Sequence, residues 1–171
     1  EEDRYVPNSS KTVTIVSEQT AEVSFSNKLK KGDLRIEKDC DDGLVEGLKF
    51  RVTASVIGYD KTFKTDANGV IEIKDLQVYD SQNKLITYKV EEVDTPIRYE
   101  AVAGQSSTLI YQGEVTLNFK NKTKTEPARI LKVSEDGDIE DKKFKITSDN
   151  GYEKVFTTDA TGAFVTEELP V

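Results

Sequence analysis

Short stretches in which apolar and polar residues strictly alternate recur along the chain, and they set its expected elements. Leu34, Ile36 and Lys38 alternate with polar neighbours. So do Leu48, Phe50, Val52 and Ala54; Tyr88, Val90 and Glu92; and Val115, Leu117, Phe119 and Asn121. A period of two puts residues i, i+2 and i+4 on one face of a strand. Turn-forming clusters separate the stretches: Asp41-Asp42-Gly43, Asp66-Ala67-Asn68-Gly69 and Asp80-Ser81-Gln82-Asn83. No stretch carries the 3.6-residue apolar period of an amphipathic helix. The pattern predicts an all-β chain folded as an antiparallel β-sandwich.

Three of these stripes end on a residue that should not be buried alone. Lys38 shares the face of Leu34 and Ile36, Glu92 that of Tyr88 and Val90, and Asn121 that of Val115, Leu117 and Phe119, whereas Asn118 points the other way. One explanation is that each stripe has reached the rim of the sandwich and its last residue is solvated. The other is that lysine, glutamate and asparagine converge in the core. Burial favours the neutral forms of amines and carboxylic acids. A neutral amine beside a carboxamide, with a protonated carboxyl to polarise the carbonyl, is arranged for nucleophilic attack. The product would be a Lys–Asn isopeptide bond, with ammonia released.

The chain also repeats itself. Arg4 to Lys28 matches Arg98 to Lys122 without a gap, pairing Tyr5 with Tyr99, Ile15 with Leu109, Phe25 with Phe119 and Asn27 with Asn121. The stretch from Leu34 matches that from Ala128, pairing Lys38 with Lys132 and Phe50 with Phe144, and Tyr59–Gly69 matches Tyr152–Gly162. The period is about 94 residues. The expected organisation is the C-terminal part of one repeat at 1–29, a complete repeat at 30–123, and the N-terminal part of a third at 124–171, as in a window cut from a longer array. Asn27 and Lys132 recur at the ends of the same kind of stripe, which favours convergence over fraying.

Composition narrows the chemistry. The 171 residues include no His, Met or Trp and a single Cys, with 24 Lys+Arg against 32 Asp+Glu. Absence of His excludes the Ser-His-Asp triad, the Cys-His dyad and His-ligated zinc, and a lone Cys permits no internal disulfide or thiolate cluster. No cofactor is expected. A net charge of −8 disfavours nucleic acid, and no apolar run is long enough for membrane insertion as a helix. Cys40, flanked by Asp39, Asp41 and Asp42, is expected to face away from Lys38 and to be incidental. The acidic cluster lacks the spacing of a calcium loop and reads as a solvated turn.

The succession GDLRIEKDCDDGLVEGLKFRV, TFKTDANGVIEIKDL, ITYKVEEVDTPIRY and VTLNFKNK resembles the Cna-B (SpaA-type, prealbumin-like) domain of Gram-positive surface proteins and pilins, over essentially the whole chain. The resemblance implies an immunoglobulin-like sandwich in which Lys38 of the first strand joins Asn121 of the last, assisted by Glu92. Glu92, not Glu91, fits the Y-x-V-x-E pattern. Lys132 and Asn27 match as crosslink residues of the flanking repeats. Glu2 could stand for a missing glutamate, but its spacing to Arg4 departs from that of Glu92 to Arg98.

The expected role is a stalk or spacer segment of an extracellular, cell-wall-anchored or fibrous protein. It is not an enzyme, since self-crosslinking is a single turnover. Its expected partners are neighbouring repeats and possible further copies in a fibre. One alternative is an adhesin module that binds a host surface ligand. Another is a covalent head-to-tail filament with Asn27–Lys132 links between copies.

Overall fold

In a computed structural model that describes residues 3–149 and 151–170, the chain divides into two compact units, Glu1–Lys122 and Thr123–Val171. In the first unit a short antiparallel pair, β1 (Tyr5–Val6) and β2 (Lys28–Leu29), leads into β3 (Lys31–Cys40), β4 (Lys49–Ala54), β5 (Tyr59–Lys64), β6 (Val70–Gln77), β7 (Thr87–Val93), β8 (Gln105–Thr108) and β9 (Glu114–Asn121). Two sheets result, ordered β6-β3-β9 and β5-β4-β7-β8. Their facing sides build the core: Leu34, Ile36, Phe50, Val52, Ile86, Tyr88, Val90 and Phe119 are all but inaccessible to solvent. The strands alternate as the apolar pattern requires, and the outward faces carry the charge. Lys74 on β6 bridges Asp33 at 3.3 Å and Glu114 at 3.0 Å, lacing the solvent side of three strands.

Every ladder of the two sheets is antiparallel except one. β3 and β9, the first and last strands of the sandwich, run parallel, pairing Ile36 with Leu117, Lys38 with Phe119 and Cys40 with Asn121. That single departure from an antiparallel sandwich positions the site. Lys38 and Asn121 both lie towards the C-terminal ends of their strands, and only a parallel pair brings two such ends together.

Residues 7–27 form no strand and are exposed, including Ile15 and Phe25. Their counterparts within 101–121 form β8 and β9 by pairing with β7 and β3. Here the same alternation finds no sheet to join among the described residues, so composition alone does not make it a strand.

The second unit comprises β10 (Thr125–Leu131), β11 (Lys143–Thr147), β12 (Glu153–Thr157) and β13 (Ala163–Pro170), paired as β10-β13 and β11-β12. Phe164 packs against Phe156 and Phe144, with ring centroids 5.2 and 5.6 Å apart. Local bonds of the first unit recur here. The buried Thr65 hydroxyl accepts from Leu48 N–H (2.9 Å) and donates to Val45 C=O (2.6 Å); that of Thr158 accepts from Lys142 N–H (2.9 Å) and donates to Ile139 C=O (2.5 Å).

Cys40 corrects one expectation. It is buried, with 4% exposure, on the same face as Lys38. A spacing of two residues requires this, and placing it on the opposite face miscounted the alternation.

Candidate functional site

Lys38 retains 5% of its exposure and Asn121 none, so neither is a solvated residue at the rim. Asn121 closes β9 on the three-stranded sheet. Glu92 lies near the end of β7 on the other sheet, opposite Phe50 of β4. The Asn121 carboxamide reaches across the sandwich, and its Nδ2 donates to Glu92 Oε1 at 3.0 Å. Phe50 and Phe119 meet beside this bond with centroids 4.9 Å apart, tilted by 59°. Phe50 is the register partner of Glu92, and Phe119 that of Lys38. The two rings therefore flank the polar group with hydrocarbon on both sheets, while Glu92 itself stays half-buried.

Lys38 sits one step along the shared face from Asn121, on the neighbouring strand. With strands about 4.8 Å apart and two residues rising about 6.6 Å, the diagonal between their Cα atoms is about 8 Å, which a four-methylene side chain spans. In this structure the Lys38 Nζ donates to the carbonyl of Asp39 at 2.7 Å. Its backbone is fixed by the turn after β5: Lys38 N–H donates to Gly69 C=O at 2.8 Å.

Two acceptors at the site are buried without partners, Glu92 Oε2 and Asn121 Oδ1. An orphan of this kind costs about 1–3 kcal/mol. They belong to the two side chains already joined by one hydrogen bond. A single proton on Glu92, shared with the carboxamide oxygen, would satisfy both and would draw electron density from the carboxamide carbon.

Of the residues expected in the flanking repeats, Lys132 resembles its counterpart and Asn27 does not. Lys132 follows β10 and repeats the setting of Lys38, with its N–H on Gly162 C=O (2.8 Å) and its Nζ on Val133 C=O (2.8 Å). Asn27 is exposed, and its Oδ1 accepts from Asn8 Nδ2 at 2.7 Å. Glu2 lies outside the described residues.

Sequence reasoning did not single out the cluster at the same end of the sandwich. Tyr99, with 2% exposure, has its hydroxyl 2.7 and 2.8 Å from the carboxylate oxygens of Asp42, to which it donates. Arg98 lies over the Tyr99 ring at 4.4 Å, donates to its hydroxyl at 2.9 Å and pairs with Asp42 at 3.1 Å. Burial, and then the Asp42 carboxylate, push the Tyr99 hydroxyl well above the ordinary tyrosine range. Burial raises Asp42 in turn, but the hydrogen bonds from Tyr99, Leu44 N–H and Arg98 outweigh it and hold the carboxyl below its usual range. The available signal was the recurrence of Tyr99 as Tyr5 and of Asp42 as Asp136.

No family model and no curated protein matches the chain. Among solved structures, the Bacillus anthracis TIE protein superposes with a TM-score of 0.70 at 21% identity, covering 88% of this chain and 29% of that one. GBS52, the minor pilin of Streptococcus agalactiae, gives 0.46 at 21% identity, with 60% and 49% covered. A D295N mutant of the shaft pilin SpaA from Lactobacillus rhamnosus GG gives 0.48 at 16%, with 80% and 81% covered. The chain thus spans less than a third of the TIE protein, and at such identities the likeness is one of fold.

Proposed function

We propose that the chain is a stalk or spacer segment of a Gram-positive surface or fibrous protein, and that its complete sandwich is locked by an autocatalytic bond between Lys38 and Asn121. The observation that carries the reading is the part-buried Glu92–Asn121 hydrogen bond with its two orphaned oxygens, one step from a buried lysine.

The chemistry balances with these three side chains alone. Neutral Lys38 Nζ attacks Asn121 Cγ, and the carbonyl is polarised by the Glu92 proton. The new Nζ–Cγ bond forms, Glu92 relays a proton from the attacking nitrogen to Nδ2, and the Cγ–Nδ2 bond breaks to release ammonia. Glu92 ends as it began, with its proton, and the chain is changed once, without turnover.

Intact mass tests the reading. The folded chain should be lighter than its sequence mass by one ammonia. Lys38→Ala, Asn121→Ala and Glu92→Gln should each restore the full mass while the sandwich still forms. A well-folded wild-type chain at its full sequence mass would sink the proposal.

A second reading, a fibre joined between copies, is favoured by the exposed alternating residues Val23 and Phe25 that precede Asn27. They are the repeat counterparts of Leu117 and Phe119, which pair with Ile36 and Lys38 of β3 in the complete unit. Asn27 of one copy would then bond Lys132 of another. Covalent multimers that persist in denaturant and grow with concentration would support this, and a clean monomer band would exclude it.

A further inference from the structure

We infer that Tyr99, tied to Asp42, is a positioning residue for the Lys38–Asn121 bond: it clamps the end of β9 against β3 so that the carboxamide stays within reach of the amine. The inference rests on the cross-linking reading above.

Asn121 is the last residue of its strand, and strand ends open most readily. Its carbonyl accepts from Asp41 N–H at 3.3 Å, a long final contact. The next carbonyl, of Lys122, accepts from Glu100 N–H at 2.9 Å. Asp41 adjoins Asp42, and Glu100 adjoins Tyr99. The Tyr99–Asp42 bond therefore closes a ring around the reactive end: from Asn121 to Asp41 and Asp42, across to Tyr99 and Glu100, and back through Lys122. Without the phenol oxygen, the tie between the two segments that grip residues 121 and 122 is reduced to the exposed Arg98–Asp42 pair.

The Asp42 end of the tie is itself built. Asp42 Oδ1 accepts from Leu44 N–H at 3.0 Å, fixing the carboxylate within the turn, and the Tyr99 hydroxyl also lies 3.2 Å from Leu44 C=O. Tyr99 touches neither Lys38 nor Glu92 through any of these bonds, so it acts through the backbone of Asn121. Positioning is the level at which such an effect is felt. A misplacement of about 1 Å between reacting groups costs on the order of a hundredfold in rate.

The experiment follows the intact mass of the full chain over time after cell-free synthesis, with amide exchange read in the same spectra to report folding. Tyr99→Phe keeps the ring and removes only the hydroxyl. It should fold and still lose one ammonia, but at least tenfold more slowly than wild type. Asp42→Ala, on an exposed turn, should slow the step similarly and carries the test should Tyr99→Phe fail to fold. Asp42→Asn, which retains an oxygen for the phenol, should recover most of the rate.

A purely structural role would lower amide protection without changing the rate among folded molecules. Variants that are folded and react as fast as wild type would overturn the inference while leaving the cross-link intact. A wild-type chain that never loses ammonia would overturn the cross-link, and the positioning role with it.

Discussion

Thr65 shows how a single side chain holds the loop that borders the site. Its hydroxyl, inside the core boundary, serves Leu48 N–H and Val45 C=O at once, and fixes the chain between the β3 turn and β4. Thr65→Val keeps the shape and removes both bonds, leaving a buried N–H and a carbonyl to find other partners. The expected loss is about 1–3 kcal/mol of unfolding free energy, read from denaturant midpoints at unchanged slope. Thr158→Val should show the same loss in the second unit, where the hydroxyl makes the same pair of bonds. Asn121 and Glu92 are the contrasting case. Each leaves an oxygen unsatisfied in the core. A residue that stabilises a fold is normally satisfied, and these orphans fall at the site of the proposed bond.

At the scale of elements, the turn between β5 and β6 fixes where β3 can carry its lysine. Gly69 has φ +76°, and a Cβ added there would lie 2.3 Å from the Lys38 carbonyl oxygen. Gly69→Ala would therefore combine a left-handed backbone cost of roughly 1–3 kcal/mol with a clash against β3 itself. The expected result is a less stable unit that cross-links more slowly, with a fall in melting temperature checked by calorimetry and in rate by intact mass. The close approach explains why the turn ends on glycine, and Gly162 meets Lys132 in the same way, at 2.7 Å.

The strands around this turn were legible in the sequence because one face of each is buried, and period-two alternation records that directly. Lys38 and Asn121 were legible for the same reason, as polar residues in apolar parity. The parallel pairing of β3 with β9 was not legible. Alternation says which face a residue takes but nothing of strand direction or neighbour. The Tyr99–Asp42 tie was hidden too, since it joins two loops separated by more than fifty residues. Residues 7–27 show the converse. Their alternation matches that of β8 and β9, yet a strand exists only where another strand receives its hydrogen bonds.

On the scale of the whole molecule, the position of the proposed Lys38–Asn121 bond would decide what a pulling force can do. A force applied to the two ends of the chain would enter the sandwich through the start of β3 and leave it after β9. The proposed covalent link between these strands would carry the load from Lys38 straight to Asn121, and everything between would stay slack. The enclosed loop holds about 80 residues, and by the loop-entropy model for disulfides its closure would add on the order of 4–5 kcal/mol of stability. Mechanically the effect is all or none.

Stretched in a single-molecule instrument, a wild-type chain should never release the enclosed loop, which at about 3.4 Å per residue is about 270 Å of contour. Asn121→Ala should release it in one step. The second unit supplies an internal reference, because its roughly 50 residues should extend by about 170 Å in both proteins. A wild-type trace containing the 270 Å step would show that the load does not pass through Lys38 and Asn121, whatever the mass of the chain.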